Sequence, residues 1–491
     1  MTTTPHTLDQ AQAASPPSPL REIGQLPGPR RWPLIGNVLQ IKPSRIHRDV
    51  EQLCRRYGPV MRVHLGRTPI LVVAEHEAIA HILRDRPDGF RRPSITARVA
   101  HEMNGIPGLF QAEGAEWRNQ RRMVMPAFAP NAIKAYFPAL LKVAQRLQGR
   151  WEAQARTQAP IDLTADLKRY TVDIIAGLAF GTDVNTIDAG EDVIQQHMDV
   201  ILPAVARRSV ALLPYWRYFK LPADRRLERS VAAMHSAIAG LIASARQRLQ
   251  AEPSRAAHPP NLLEAMIVAA DEPGSGVSDR DVAGNVSTML LAGEDTTANS
   301  LAWMLYLLQR NPQALRRVQE EVRAIAPDLS ALTIAQVDAL DYLDACASEA
   351  MRLKPVAPFI PLEALRETTV AHVRVPKGGL VWCVLRHDSV DDKYFPRAQA
   401  FEPQRWLPGA VDAPTIDKKV ALPFGAGLRT CPGRYLALLE IKVAMVMLLG
   451  RFDIAGIDTP DGGEAQELMG FVMSPQGLQM RLRTRDAHAS A

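Results

Sequence analysis

Apolar residues three and four apart dominate residues 131–157, 164–180, 191–207 and 224–249. That spacing puts one stripe of an α-helix against a core. From residue 75 to about 255 the chain therefore reads as mostly helical. Ahead of this region a helix is expected over 47–57, and Val60–Leu65 and Thr68–Val73 flank Gly66-Arg67 as two strands of a hairpin. After it comes a stretch rich in Pro, Ala and Gly, read as a loop. Ser278 then stands as an N-cap, with Asp281 three residues on giving a capping-box start. The helix continues to Arg310, where Asn311-Pro312 stops it. At its usual rise it would be about 50 Å long, enough to cross the molecule, and its apolar character places it at the centre. Two more helices are expected near 312–326 and 340–353. Beyond Pro355 the pattern turns strand-like, through Val373–Val375 and 380–385. A helix over 432–450 follows a Gly-rich loop, and 477–483 alternates as a closing strand. No internal repeat is present. The fold class is mainly α with a minor, segregated β part.

Composition narrows this only a little. The net charge is +6, from 58 basic and 52 acidic residues, too small an excess to imply nucleic acid. The four cysteines, Cys54, Cys346, Cys383 and Cys431, lie far apart. Neither zinc spacing nor a disulfide framework is expected, and scattered thiols fit a reducing cytoplasm. No run approaches the ~18 apolar residues of a membrane span. The first residues lack the basic start and apolar stretch of a signal peptide. Residues 1–25 are expected to be a disordered tail rich in Thr, Pro, Ser, Ala and Gln. Residues 26–485 form one domain in this reading, and 486–491 a short second tail.

The chemistry concentrates in Pro423-Phe424-Gly425-Ala426-Gly427-Leu428-Arg429-Thr430-Cys431-Pro432-Gly433, between a strand-like run and a helix. A metal-bound cysteine must be a thiolate, which cations and helix N-termini stabilise. Cys431 lies at a helix start, two residues after Arg429. Gly427 and Gly433 would let backbone approach a large flat cofactor, loop N–H groups could donate to the sulfur, and Phe424 could shield it. A buried inert thiol is the commoner fate of a free cysteine, and it is the reading for the other three. Dinucleotide binding does not fit, because Thr430 stands where the third glycine belongs.

Phe424, Gly427, Arg429, Cys431 and Gly433 match each fixed position of the haem-binding signature of the cytochrome P-450 family. The chain resembles that family, in its soluble bacterial form, over about residues 26–485. The resemblance implies the cytochrome P-450 fold, with a long central helix over haem b, a small β region near the N-terminus and C-terminal strands. It makes Cys431 the iron ligand, whose sulfur pushes electron density toward O–O cleavage. Glu349 and Arg352, three apart on one helical face, would by themselves suggest a solvated pair. In the family they form a buried structural network with an arginine in a Phe-x-Pro-x-Arg segment, here Arg405. Ala292-Gly293-Glu294-Asp295-Thr296-Thr297 is odd for a buried helix centre, and alone it reads equally as a kink. By resemblance it is an oxygen-activation groove. Thr296 donates a hydrogen bond to dioxygen, Asp295 relays protons, and Gly293 leaves room. Trp117 and Arg121, four apart on one face, precede Pro126-Ala127-Phe128 as in the family and would hold the haem propionates. Arg429 is a third propionate candidate and Arg366 a further one. Ser389-Val390-Asp391-Asp392 departs from the family's His-Arg-Asp-Pro, and Gln404 stands where Glu is usual.

The function implied is that of a monooxygenase. It would use dioxygen to hydroxylate or epoxidise a hydrophobic small molecule such as a fatty acid or terpenoid. Leu291, Ala292, Val356, Ala357, Phe359, Phe471 and part of 95–113 would line the substrate. Two electrons would come from NAD(P)H through a separate ferredoxin or flavodoxin-type partner with its reductase, because the domain uses up the length. Arg118, Arg122 and Arg434 are candidates for that docking face. Two other readings are a peroxide-using or non-oxygenating haem-thiolate enzyme, which the Asp295-Thr296 pair argues against, and a haem sensor.

Overall fold

The computed structural model describes residues 19–189, 193–209, 211, 213–409 and 416–485. The expected tails over 1–18 and 486–491 lie outside these residues, as do 191–192 of one expected helix.

Five helices position the site. α1 is Gly114–Val124, α2 Leu163–Phe180, α3 Asp279–Arg310, α4 Asp341–Leu353 and α5 Arg434–Arg451. α3 opens on Ser278, whose hydroxyl accepts from the Asp281 N–H while the Asp281 carboxylate accepts from the Ser278 N–H. Two orphan donors are thereby satisfied at the start of a long buried helix. Leu301, Ala302, Trp303, Met304, Leu305 and Leu308 are all buried, so the second half of α3 is apolar on every side. α3 packs most extensively against α2, and α4 and α5 close around it, with α5 buried from Leu439 to Leu449. No helix among the described residues is long and apolar enough to cross a membrane.

The minor β part divides as expected. One sheet runs in the order 60–65, 68–73, 380–384, 359–364, 90–91. The predicted hairpin has the register Val60↔Val73 to Leu65↔Thr68. Its second strand lies parallel to Leu380–Val384. The C-terminal strands Phe452–Asp458 and Gln479–Thr484 pair with each other, and the latter also with Ile161–Asp162. Glu467–Met469 and Met473–Pro475 form a separate hairpin.

Three expectations change. The stretch between 255 and 278 read as a loop contains a helix, Leu262–Asp271, started by the Asn261 side chain accepting from the Glu264 N–H. Order also begins before residue 26: Arg21–Glu22 pairs in parallel with Val373-Arg374, and Ile23 is buried. The last helix starts at Arg434, two residues later than expected, because Pro432 and Gly433 are still turning.

Candidate haem and oxygen site

The loop before α5 is shaped by its glycines. Gly425 and Gly427 have φ of +74° and +71°. At Gly427 a Cβ would stand 2.7 Å from the Leu83 carbonyl oxygen and 2.8 Å from the Arg84 Cα, so the loop rests backbone on backbone. The Cys431 N–H donates to the Phe424 carbonyl at 3.0 Å, which closes the turn and projects the thiol. Cys431 is exposed, yet enough protein surrounds it that burial pushes its thiol up. The Gly433 N–H and the Arg121 cation pull it down. Cys54 and Cys383 are buried and pushed up to about 12, and burial pushes Cys346 up as well. Only Cys431 combines an open face with a cation and an N–H donor, which is what thiolate chemistry requires. Phe424, half-buried beside it, carries the Arg434 guanidinium 5.6 Å over its ring.

A cluster of cations lies on the α1 side of the loop. The Arg429 guanidinium sits 4.6 Å over the buried Trp117 ring, donates to the Ala112 carbonyl at 2.6 Å and pairs with Glu113. Arg86 reaches 3.8 Å from the same Glu113. The Arg92 N–H donates to Glu113 at 3.1 Å, while its guanidinium lies 3.6 Å over the Phe110 ring. Three arginines, Arg86, Arg92 and Arg429, thus share the charge of one carboxylate, and Arg121 adds its own charge beside Arg429. The crowding shows in their protonation. Burial, then Arg86 and Arg121, bring Arg429 down to about 10 against the pull of Glu113. Burial with Arg86 and Arg429 holds Arg92 well below its ordinary value. Nε and Nη2 of Arg86 and Nε of Arg429 are buried with no hydrogen-bond acceptor. Buried donors of this kind call for one, and charged donors suit an anionic oxygen. Arg366 stands apart and pairs with Asp85 at 2.8 Å on the surface.

On α3 the polar residues bond back to the helix backbone. Thr296 donates to the Ala292 carbonyl at 2.7 Å, Asn299 to Asp295 at 2.7 Å and Ser300 to Thr296 at 2.9 Å. Thr171 of α2 donates to the Glu294 carbonyl at 2.9 Å. Four carbonyls within five residues therefore accept side-chain donors, which bends a helix. Ala292 is exposed in mid-helix and Thr296, one turn on, is half-buried. Gly293 points elsewhere: a Cβ there would lie 2.8 Å from Ile175 Cγ1 of α2. Its small size admits α2, and Ala292 is the residue on the open side. Asp295 pairs with Lys168 of α2 at 2.7 Å.

α4 supplies the third part. Glu349, fully buried, accepts from Arg352 Nε and Nη2 at 2.8 Å, Arg405 Nε at 3.1 Å, Trp406 Nε1 at 2.8 Å and the Glu402 N–H at 3.0 Å. Arg352 also donates to the Ser389, Ala398 and Ala400 carbonyls. The structure brings Glu349, Arg352 and Arg405 together in one satisfied network.

The family model for cytochrome P450 matches residues 26–482. The chain belongs to the cytochrome P450 family. The chain is similar to a self-sufficient cytochrome P450 monooxygenase of Oidiodendron maius, 29% identical over 442 residues, 89% of this chain and 40% of that protein. It thus spans less than half the length of that relative. Cytochrome P450 3A56 of Fundulus heteroclitus is 24% identical and is matched over 93% of this chain and 92% of its own. The crystal structure of the cytochrome P450DA haem domain shares the fold, with a TM-score of 0.81 and 24% identity over 96% of this chain and 99% of that one.

The haem that a cytochrome P450 implies fits the residues present. Among the described residues no group of His, Cys, Asp and Glu is arranged to hold a bare metal ion. A metal on Cys431 would need its remaining ligands from a cofactor. The unpartnered arginine nitrogens suit propionate carboxylates. Of the expected propionate residues, Arg429 lies over Trp117 and Arg121 adds charge beside it, while Arg86, Arg92 and Glu113 were not expected from the sequence. Their only signal was charged residues in loops next to helices, which ordinarily means a solvated surface. Of the expected substrate residues, Val356 and Phe471 come together, because the Met473 N–H donates to the Val356 carbonyl at 2.8 Å. The Phe471 ring meets Phe110 at 5.5 Å. Phe359 instead meets Trp382 of the sheet edge-on at 5.2 Å, and Leu291 packs against the main core. Ala357 is exposed.

Proposed function

We propose that this cytochrome P450 monooxygenase inserts one atom of dioxygen into a C–H or C=C bond of an apolar small molecule. Its two electrons would come from a ferredoxin or flavodoxin-type donor. Haem, when bound, supplies the iron chemistry of O–O cleavage, which a thiolate ligand favours. The chain's own residues do the rest. Cys431 supplies the sulfur, steadied by the Gly433 N–H and Arg121. Arg86, Arg92, Arg121 and Arg429 hold the carboxylates. Phe110, Val356, Ala357 and Phe471 offer an apolar wall to the substrate. Thr296 keeps its hydroxyl on the Ala292 carbonyl, from which rotation would turn it toward the open side of α3. Asp295 is the proton-carrying group behind it, held in place by Lys168. Glu349, Arg352 and Arg405 keep the cysteine loop's support rigid.

The observation that carries this reading is the acid–threonine pair beside the exposed Ala292 of α3, which a carrier or sensor would not need. The test is a ferrous–CO spectrum of the purified protein beside Cys431→Ala, followed by turnover of Thr296→Ala. A strongly red-shifted Soret band that is lost in Cys431→Ala, together with raised peroxide release per NAD(P)H in Thr296→Ala, is expected. A globin-like band in undenatured protein would reject the thiolate. Full turnover with peroxide and no electron donor would favour the peroxide-using reading.

A further inference from the structure

Glu467 opens the hairpin of Glu467–Met469 and Met473–Pro475, whose turn carries Phe471. Its buried carboxylate collects side chains from three other parts of the chain. Lys354 Nζ donates to it at 2.6 Å, Arg386 Nη1 at 2.8 Å and Nη2 at 3.1 Å, and His47 Nε2 bonds to it at 2.8 Å. Arg386, buried as well, also donates to Glu51 from Nε at 2.9 Å and from Nη2 at 2.8 Å. His47 and Glu51 belong to helix Ile46–Tyr57. Arg386 follows strand Leu380–Val384, and Lys354 follows α4, two residues before Val356. The network thus ties both Phe471 and Val356 of the apolar wall to helix Ile46–Tyr57 and to the sheet. We propose that Glu467 is a positioning residue for substrate: its ion pairs hold the hairpin so that Phe471 stays against Phe110 in the binding wall.

Two carboxylates, two cations and a histidine share this buried space. Burial opposes ionisation of Glu467, but His47, Arg386 and Lys354 outweigh it and hold the carboxyl well below its ordinary range. Burial would likewise lower Arg386, and Glu51 and Glu467 outweigh it. The desolvation of such a set largely offsets its attraction, so its net contribution to stability is small, while the loss of one member leaves charge unpaired. The geometric effect is specific to the hairpin. Its second strand has ties of its own: the Met473 N–H donates to the Val356 carbonyl at 2.8 Å, and Trp303 Nε1 of α3 donates to the Met473 carbonyl at 3.3 Å. The first strand is tied to the network through Glu467. Removing that charge should leave the second strand in place and free the turn between them, where the Phe471 ring meets Phe110 at 5.5 Å. A turn that holds its binding position for only part of the time lowers apparent affinity by that fraction.

The inference rests on the reading that Phe471 faces substrate, and the experiment separates the two. Wild type, Glu467→Gln, Glu51→Gln, Phe471→Ala and the double variant Glu467→Gln/Phe471→Ala are loaded with haem and checked by their ferrous–CO spectra. Glu51→Gln is the control, because it breaks the same network without touching the hairpin. Dodecanoic acid is titrated as probe, and its dissociation constant is read from the shift of the ferric Soret band. Hydrogen exchange, which needs no ligand, is followed by mass spectrometry over 467–475. Loss of charged hydrogen bonds predicts about tenfold weaker binding in Glu467→Gln and faster exchange of the hairpin by a similar factor. Glu51→Gln should stay close to wild type in both. The double variant should bind like Phe471→Ala alone, since effects that act through one residue do not add. If Glu467→Gln binds and exchanges like wild type while Phe471→Ala binds weakly, Glu467 has no positioning role and the reading of Phe471 stands. Equal losses in Glu467→Gln and Glu51→Gln mean a general loosening and overturn the inference as well. Wild-type binding by Phe471→Ala takes both down. Should Glu467→Gln not fold, Lys354→Met takes its place: a smaller loss of the same kind is expected, and unchanged binding and exchange there overturn the inference.

Discussion

Arg86 has two buried guanidinium nitrogens and no acceptor for either. Such a group is destabilising in the protein by itself, and its neighbours Arg92 and Arg429 add like charge. The sign of a substitution should therefore differ with and without haem. Arg86→Leu is expected to leave the melting temperature of haem-free protein unchanged or raise it. In the loaded protein it removes charged hydrogen bonds worth about 1.5–3 kcal/mol, so haem should leave about 10- to 100-fold faster. Transfer of haem to excess apomyoglobin measures that rate directly. A slower or equal rate would remove Arg86 from the propionate clamp. The same residue marks the limit of what the sequence reveals at this scale. Cys431, Trp117, Arg121 and Arg429 could be named from the sequence because their motifs carry the family resemblance. Arg86, Arg92 and Glu113 meet only through the fold, and a charge in a loop carries no period. Gly293 shows a subtler failure: its small size was visible, but the side on which it mattered depended on where α2 packs.

Elements were legible where a period ran long enough. The strands Val60–Leu65 and Thr68–Val73 and the long α3 agree with the pattern of the chain. Helix Leu262–Asp271 did not show, because ten residues flanked by Pro and Gly give little period to read. Long-range charge pairing holds it in place. Glu264, fully buried, accepts from Arg248 Nε at 2.8 Å and Arg255 Nε at 2.9 Å. Burial opposes ionisation, but Arg255, Arg248 and Asn261 outweigh it and hold the carboxyl down at about 2. For a depressed acid the contribution is present above the ordinary value near 4.5 and is lost as pH falls toward 2. Acid unfolding of wild type should therefore steepen in that window. Glu264→Gln should be less stable by about 1–3 kcal/mol at neutral pH and should lack this part of the acid dependence, as urea titrations between pH 7 and 3 would show. α4 carries a second test. Arg352 is buried on every side and feeds Glu349 and three carbonyls. Arg352→Ala breaks a buried ion-pair network and leaves Glu349 with Arg405 as its remaining cation, a loss of up to about 3–5 kcal/mol. Loss of haem retention along with stability is expected from the structural role that the family resemblance implies for this network. Equal urea midpoints for the two proteins would contradict it.

At the scale of the molecule the β part could be foreseen but its wiring could not. Thr68–Val73 lies beside Leu380–Val384, strands some three hundred residues apart in sequence, and no local pattern encodes that pairing. What the wiring achieves is to bring Leu83 and Arg84, from the sheet side, under Gly427, so the cysteine loop emerges where the helical and sheet parts meet. Its tip reaches the surface: Leu428 is 62% exposed, and Arg122 and Arg434 are exposed around it. Arg118 is exposed too but already paired with Asp88, which leaves Arg122 and Arg434 as the better candidates to meet an acidic electron donor. An apolar tip within a basic rim is the arrangement in which rim charge governs encounter more than final affinity. Each rim charge contributes about 0.2–1 kcal/mol, so reversing both should slow reduction by an acidic ferredoxin roughly tenfold at low salt. Added salt should slow wild type and leave Arg122→Glu/Arg434→Glu nearly flat, since screening weakens attraction between exposed charges. Reduction by dithionite, which needs no docking, should be the same in both. Stopped-flow formation of the ferrous–CO complex at several ionic strengths reads all three. An unchanged ferredoxin rate in the double variant would move the docking face away from the cysteine loop.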